Sequence, residues 1–249
     1  MSDDEPAGSE SKRRWAATTP VYLGARCSLR TREGVADRDD LRLDSDAPAG
    51  ALVAELCCGE GLLAQAILLR HPNCRILALD GSPGMLSRAS ERLAEFGGRV
   101  ELREFDLVDT GWRHFAEPLH AVVSSLTIHH LDGEQKQGLF RDVAAALAPG
   151  GAFIIADLIQ PRGQLGVKVA ARQWDDAVRE RSLRERGDLS GLAKFLELDW
   201  NDFSSSEPSP IDKPSPLPDQ LLWLEAAGLT EVDVYWMKAG HAIFGGRRP

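Results

Sequence analysis

The sequence predicts a doubly wound α/β fold with a parallel sheet, and three observations lead there. Short apolar runs alternate with amphipathic helical segments from residue 51 to residue 158. The runs are nearly continuous in apolar residues, as in strands covered by helices on both faces. The first run ends at Gly59 and Gly61, where a strand would turn into a helix.

Each element follows from its own pattern. ALVAELC (51–57) is the first strand and LLAQAILLR (62–70) the helix behind it. RILALD (75–80) is a second buried strand. MLSRASERLAEF (85–96) is a helix closed by Gly97 and Gly98. VELREF (100–105) alternates like a strand, and AVVSSL (121–126) is the fourth. A helix over 134–148 leads through Pro149-Gly150-Gly151 into AFIIADL (152–158), the fifth strand. Between 160 and 218 the alternation stops. Helices are expected near 164–186 and 189–198, then a Pro- and Ser-rich stretch, Ser204 to Pro218, that reads as a linker or lid. A helix over 219–228 precedes EVDVYW (231–236) and HAIFGGR (241–247), a β-hairpin. Residues 1–49 show no settled periodicity and are expected to be a partly disordered leader before one domain, 50–249.

Composition excludes several classes. With 29 Lys and Arg against 38 Asp and Glu, the net charge is −9, so a strongly basic nucleic-acid footprint is missing. No apolar run is long enough to span a membrane, and Met1 to Glu10 lacks a signal-peptide core. Cys27, Cys57, Cys58 and Cys74 form no C-x-x-C pair and have no His at zinc spacing. A reduced, cytoplasmic protein is expected.

The glycine turn carries the first chemistry. Glycines let a ligand approach the backbone without an intervening Cβ, and a helix start offers free N–H groups. Asp80 ends the second strand about twenty residues further on, where a carboxylate can accept ribose hydroxyls. Asp106 ends the third strand, where it can meet an adenine edge with Leu107 beside the ring. The plainer account is that the glycines punctuate a turn and the aspartates cap helices; Asp80-Gly81-Ser82-Pro83 does look like a helix start. Three such motifs at successive strand ends favour an adenosine-type ligand. A nicotinamide site competes locally, since Gly59-x-Gly61-x-x-Ala64 followed by Asp80 satisfies the dinucleotide fingerprint. It gives no role to Glu55, Asp106 or the closing hairpin.

Together these segments resemble the class I S-adenosylmethionine-dependent methyltransferases. Glu55, Gly59 and Gly61 match the family's acid and glycine motif, Asp80 its ribose acid and Asp106 its adenine-side acid. AVVSSLTIHHL (121–131), LAPGG (147–151) and the ending from Leu224 are similar to its later motifs. The likeness covers about 51–158 and 220–248. It implies a Rossmann-like seven-stranded sheet with the last strand antiparallel, S-adenosylmethionine as cofactor, and methyl transfer governed by proximity and orientation. Cys57 stands where the family commonly has a glycine, so its backbone must take a conformation that a Cβ tolerates. Ala121 replaces a common Asp.

Other residues have a functional and an ordinary reading. His129 and His130 follow the fourth strand near the expected methyl donor. His129 can serve as general base, its reference pKa being near neutrality, or simply pack under the next helix. No third ligand stands at useful spacing, so no metal is expected. Ser124 and Ser125 are expected to line the cofactor cleft. Met85, with Gly81 before it, can cover the adenine or belong to the helix core. Trp174, Trp200 and Phe203 can form a substrate lid, though anchoring an inserted helix is the more ordinary role. Lys136 reads as a surface residue. The expected function is methyl transfer to a small-molecule acceptor, with nucleic acid less favoured and no membrane partner. An NAD(P)-dependent oxidoreductase and a non-catalytic binding protein are the alternatives.

Overall fold

The computed structural model describes residues 49–205 and 209–249; the expected leader up to residue 48 lies outside them. Strands β1 (Leu52–Leu56), β2 (Arg75–Asp80), β3 (Val100–Glu104), β4 (Leu119–Ser125), β5 (Leu147–Leu158), β6 (Thr230–Lys238) and β7 (His241–Arg247) form one sheet. Its order is β3-β2-β1-β4-β5-β7-β6. All pairs are parallel except those of β7, which is inserted antiparallel between β5 and β6. This is the mostly parallel seven-stranded sheet with an antiparallel last strand that the resemblance implies.

Helices α1 (Leu62–Arg70), α2 (Pro83–Leu93), α3 (Gly133–Ala146), α4 (Gln164–Arg186), α5 (Ser190–Glu197) and α6 (Leu217–Ala226) pack around it. Successive strand residues point to opposite faces, so each apolar run feeds two cores. Ala54, Leu56, Leu77, Leu79 and Val122 meet Leu139, Phe140 and Val143 of α3 and Leu224 of α6. Val53, Ile76, Ala78 and Val123 meet Ala64, Ile67 and Leu68 of α1 and Ala89 and Leu93 of α2. Local chemistry sets the boundaries. Ser82 caps α2 by accepting from the Met85 N–H, with Pro83 in the first turn, so the helix starts two residues before its apolar pattern does. Asp132 and Gln135 form a reciprocal capping box on α3.

β5 differs from expectation. It begins at Leu147, and Pro149-Gly150-Gly151 lies within it as an irregularity: Leu119 pairs with Leu147, but Ala121 pairs with Ala152. Gly151 permits this, because a Cβ there would lie 2.8 Å from the Ala148 carbonyl oxygen.

The segment between β5 and α6 builds a third, smaller core. Trp174 and Val178 of α4 and Leu192 and Phe195 of α5 bury against Leu158 and Ala239. The Trp174 ring lies 5.9 Å from Phe195, 5.8 Å from Phe203 and 4.7 Å, edge on, from His241. Trp174 anchors the insertion to the sheet, the more ordinary of its two readings.

Candidate active site

The turn after β1 is built by backbone geometry. Cys57, Gly59 and Gly61 all have positive φ, at 55°, 54° and 77°. The Cys57 conformation costs a residue with a Cβ about 1–2 kcal/mol, which explains why glycine is common there. Gly61 is also tightly packed, since a Cβ would fall 2.9 Å from Leu93 Cδ1 of α2 and push that side chain aside. Beside Gly59 a Cβ would meet nothing within 4 Å. The Gly61 N–H donates to the Cys58 carbonyl (2.9 Å), closing the turn. Burial, reinforced by the Asp80 charge, pushes the Cys57 thiol far above its ordinary range. Burial does the same for Cys58, so both are inert small residues.

Asp80, at the end of β2, ties this turn to the next. One carboxylate oxygen accepts from the Gly59 N–H and the other from the Ser82 N–H, each at 2.8 Å. Every carboxylate oxygen has two lone pairs, so one site on each oxygen remains for a diol. Gly81 follows, exposed, with Phe105 O 3.1 Å from where its Cβ would be. Asp106 is exposed and accepts from the Val108 N–H (2.9 Å), while Leu107 is half-buried. Met85 is half-buried on the first turn of α2. Glu55 is 2% exposed within β1, on the same sheet face as Val53. Of the two serines that end β4, Ser125 is half-buried. Ser124 is 1% exposed, and its hydroxyl donates to the Leu56 carbonyl (3.4 Å), so it belongs to the sheet and does not line a cleft as expected.

His129 lies in the short helical turn Ile128–His130 after β4. Asp157, near the end of β5, holds it twice. One carboxylate oxygen accepts the His129 backbone N–H (2.8 Å) and the other meets Nδ1 at 2.6 Å. Nε2 faces Asp212 Oδ1 at 3.5 Å, and His130 Nδ1 faces the same oxygen at 3.0 Å. Burial disfavours a charged His129, but Asp157 and then Asp212 outweigh it and hold the pKa up at about 9. The expected near-neutral value therefore does not hold: two carboxylates, neither visible as a neighbour in the sequence, stabilise the imidazolium. Asp157 sits below the usual carboxylate range despite its burial, because the His129 charge and its hydrogen bonds favour the anion.

Asp157, Lys136 and Asp212 escaped the sequence reading. Asp157 carried a signal, a carboxylate inside an otherwise apolar strand. Lys136 is buried, contrary to the surface reading, and its Nζ donates to the Lys213 carbonyl (2.6 Å) and Ser215 Oγ (2.7 Å). It shares a helix face with Leu139, Phe140 and Val143, and that spacing could have revealed it. Desolvation lowers its pKa to about 8. Asp212 had no signal; the Lys213 N–H, donating to the His129 carbonyl (2.7 Å), brings it in from the insertion.

Residues 53–151 match the profile of a family described as a methyltransferase domain. In sequence the chain is similar to the carboxy-S-adenosyl-L-methionine synthase of Shigella sonnei, 28% identical over 111 residues, 43% of this chain and 44% of that protein. The chain thus matches a little under half the length of that curated relative. In fold it is similar to an O-methyltransferase family protein from Burkholderia thailandensis, with a TM-score of 0.60, 18% identity, and 96% of this chain and 60% of that one covered. It is also similar to an O-methyltransferase family 2 protein from Planctomyces limnophilus in complex with apigenin. There the TM-score is 0.55 and the identity 19%, covering 99% of this chain and 63% of the other. Residues 53–151 thus match a methyltransferase domain in sequence, and the sheet they belong to has the fold of these solved O-methyltransferase structures.

Proposed function

We propose that the protein transfers a methyl group from S-adenosylmethionine to a small-molecule acceptor. One observation carries the reading. Gly59, Asp80 and Asp106 stand at the carboxyl ends of three neighbouring strands, and Asp80 keeps a free acceptor site on each oxygen. In this reading Asp80 takes the ribose diol, and Asp106 with Leu107 flanks the adenine, covered by Met85 beyond Gly81. Cys57, Gly59 and Gly61 admit the methionine part, and Glu55 and Ser125 border it. Ser124 is left out. The cofactor supplies the electrophilic methyl; the protein supplies orientation.

On the acceptor side His129 is the residue we place at the reacting atom. Asp157 occupies Nδ1, so Nε2 is the ring atom left to face an acceptor, and with its pKa held at about 9 His129 takes the acceptor's proton there only at alkaline pH. The insertion 160–218 serves as the acceptor lid, a reading supported by the approach of Asp212 to His129. A small acceptor fits the net charge of −9 and the fold's likeness to a protein holding apigenin. No described helix is long and apolar enough to cross a membrane.

Calorimetric titration with S-adenosylmethionine, S-adenosylhomocysteine and NADH tests this. Micromolar binding of the two sulfur compounds without NADH is expected. Binding of NADH alone would move Gly59, Gly61 and Asp80 to a dehydrogenase site.

A further inference from the structure

We propose that His129 Nε2, His130 Nδ1 and Asp212 Oδ1 form a binding site for a divalent first-row transition-metal ion. The three donor atoms lie within 4.8 Å of one another. Both nitrogens face one carboxylate oxygen, at 3.5 and 3.0 Å. Donors that share an ion at about 2.0–2.2 Å sit about 3.0–3.5 Å apart, so those two separations already suit it. The two ring centroids are 4.3 Å apart, so closing both nitrogens onto one ion turns the rings toward each other.

The tautomer argues the same way. With its proton on Nδ1 and donated to Asp157, His129 turns the Nε2 lone pair toward a carboxylate oxygen, and lone pair against anion is repulsive. A cation must sit there, either a second proton or a metal. Without a metal His129 must be charged to face both Asp157 and Asp212, while His130 meets the same Asp212 oxygen as a neutral Nδ1–H donor; one divalent ion serves both rings. A metal-ligating histidine characteristically donates its other ring N–H to a carboxylate, which fixes its orientation, and Asp157 does this for His129.

The frame is also rigid. Asp157 takes the Leu158 N–H (2.8 Å) as well as that of His129. The Asp212 loop is pinned by the Lys213 N–H on the His129 carbonyl and by Lys136 on Lys213 and Ser215. Two imidazoles and one carboxylate suit zinc, iron(II), cobalt(II) or nickel(II) and not calcium or magnesium, which take oxygen donors. Three protein ligands leave positions open for an acceptor heteroatom, whose proton the ion would make easier to lose. This last point rests on the proposed methyl transfer. An ion on Nε2 and a base at Nε2 exclude each other, so the metal-loaded protein would activate its acceptor by coordination.

Cobalt(II) titration of the full chain, followed by its visible absorption and by calorimetry, tests the site. We expect stoichiometric binding, weakened at least about tenfold in Asp212→Asn and His130→Gln and unchanged in His71→Gln. Magnesium should not compete. S-adenosylhomocysteine binding, measured on the same samples, reports folding and the cofactor reading separately. Absence of cobalt binding, or unchanged affinity in variants that still bind S-adenosylhomocysteine, overturns the proposal. Should the variants not fold, zinc titration of the unaltered chain monitored at the imidazole nitrogens decides. Shifts at His129 Nε2 and His130 Nδ1 support the site, and their constancy overturns it.

Discussion

The two halves of the carboxyl edge are built on different principles. The β1–β2–β3 side is local: a turn of three positive-φ residues, a carboxylate spanning it, and a capped helix that follows at once. The β4–β5 side is assembled from distant pieces. His129, Asp157, Lys136 and Asp212 come from a turn, a strand, a helix and an insertion, and are fastened by buried polar contacts. Local motifs leave a sequence signature and tolerate change elsewhere. An assembled site depends on every element that brings it together.

The largest test of that contrast is Trp174→Ala. Emptying the small third core should lower stability by about 3–5 kcal/mol in denaturant titrations, while S-adenosylhomocysteine affinity stays nearly constant. An equal collapse of that affinity would mean that the two sides fold as one unit. Next is Asp80→Ala. It removes the link between the two turns and the proposed ribose acceptor, and should weaken cofactor binding by about 2–4 kcal/mol in a folded protein. Unchanged affinity would sink the cofactor placement.

Acid should act on the assembled side first. His241 is buried against Trp174, and desolvation lowers its pKa to about 3 from an ordinary 6.5. Between those values the unfolded chain takes up a proton that the folded chain refuses. Stability is therefore intact above about pH 6.5 and drains as pH falls toward 3, at up to about 1.4 kcal/mol per unit. His241→Phe should flatten that slope between pH 6 and 4.5, and a slope left unchanged would assign it to other groups. The smallest effect is expected at Cys57→Gly. Relief of the positive φ, less the entropy a glycine loses on folding, should raise stability by about 0.5 kcal/mol. A loss above about 1 kcal/mol would show that the Cys57 thiol's packing and its contact with Thr127 outweigh the strain.

Legibility in the sequence follows the same division. The strands and helices were readable because covered strands and amphipathic helices impose their periods on neighbouring residues. β5 was the exception: its register bulge depends on Leu119 of another strand. Gly59, Gly61, Asp80 and Asp106 were readable because turn geometry and strand ends restrict residue type locally. Ser124 misled, because its position in the strand says nothing about its hydroxyl meeting the Leu56 carbonyl across to β1.

The sequence by itself determined the order of elements, the two-faced sheet and the local turns at the ends of β1 and β2, since each depends on interactions within a few residues. Only the tertiary structure decided that Lys136 is buried, that His129 holds its proton to about pH 9, and that Asp212 completes a cluster with two histidines. Those properties arise from desolvation and from charges brought close by folding, and neither has any period along the chain.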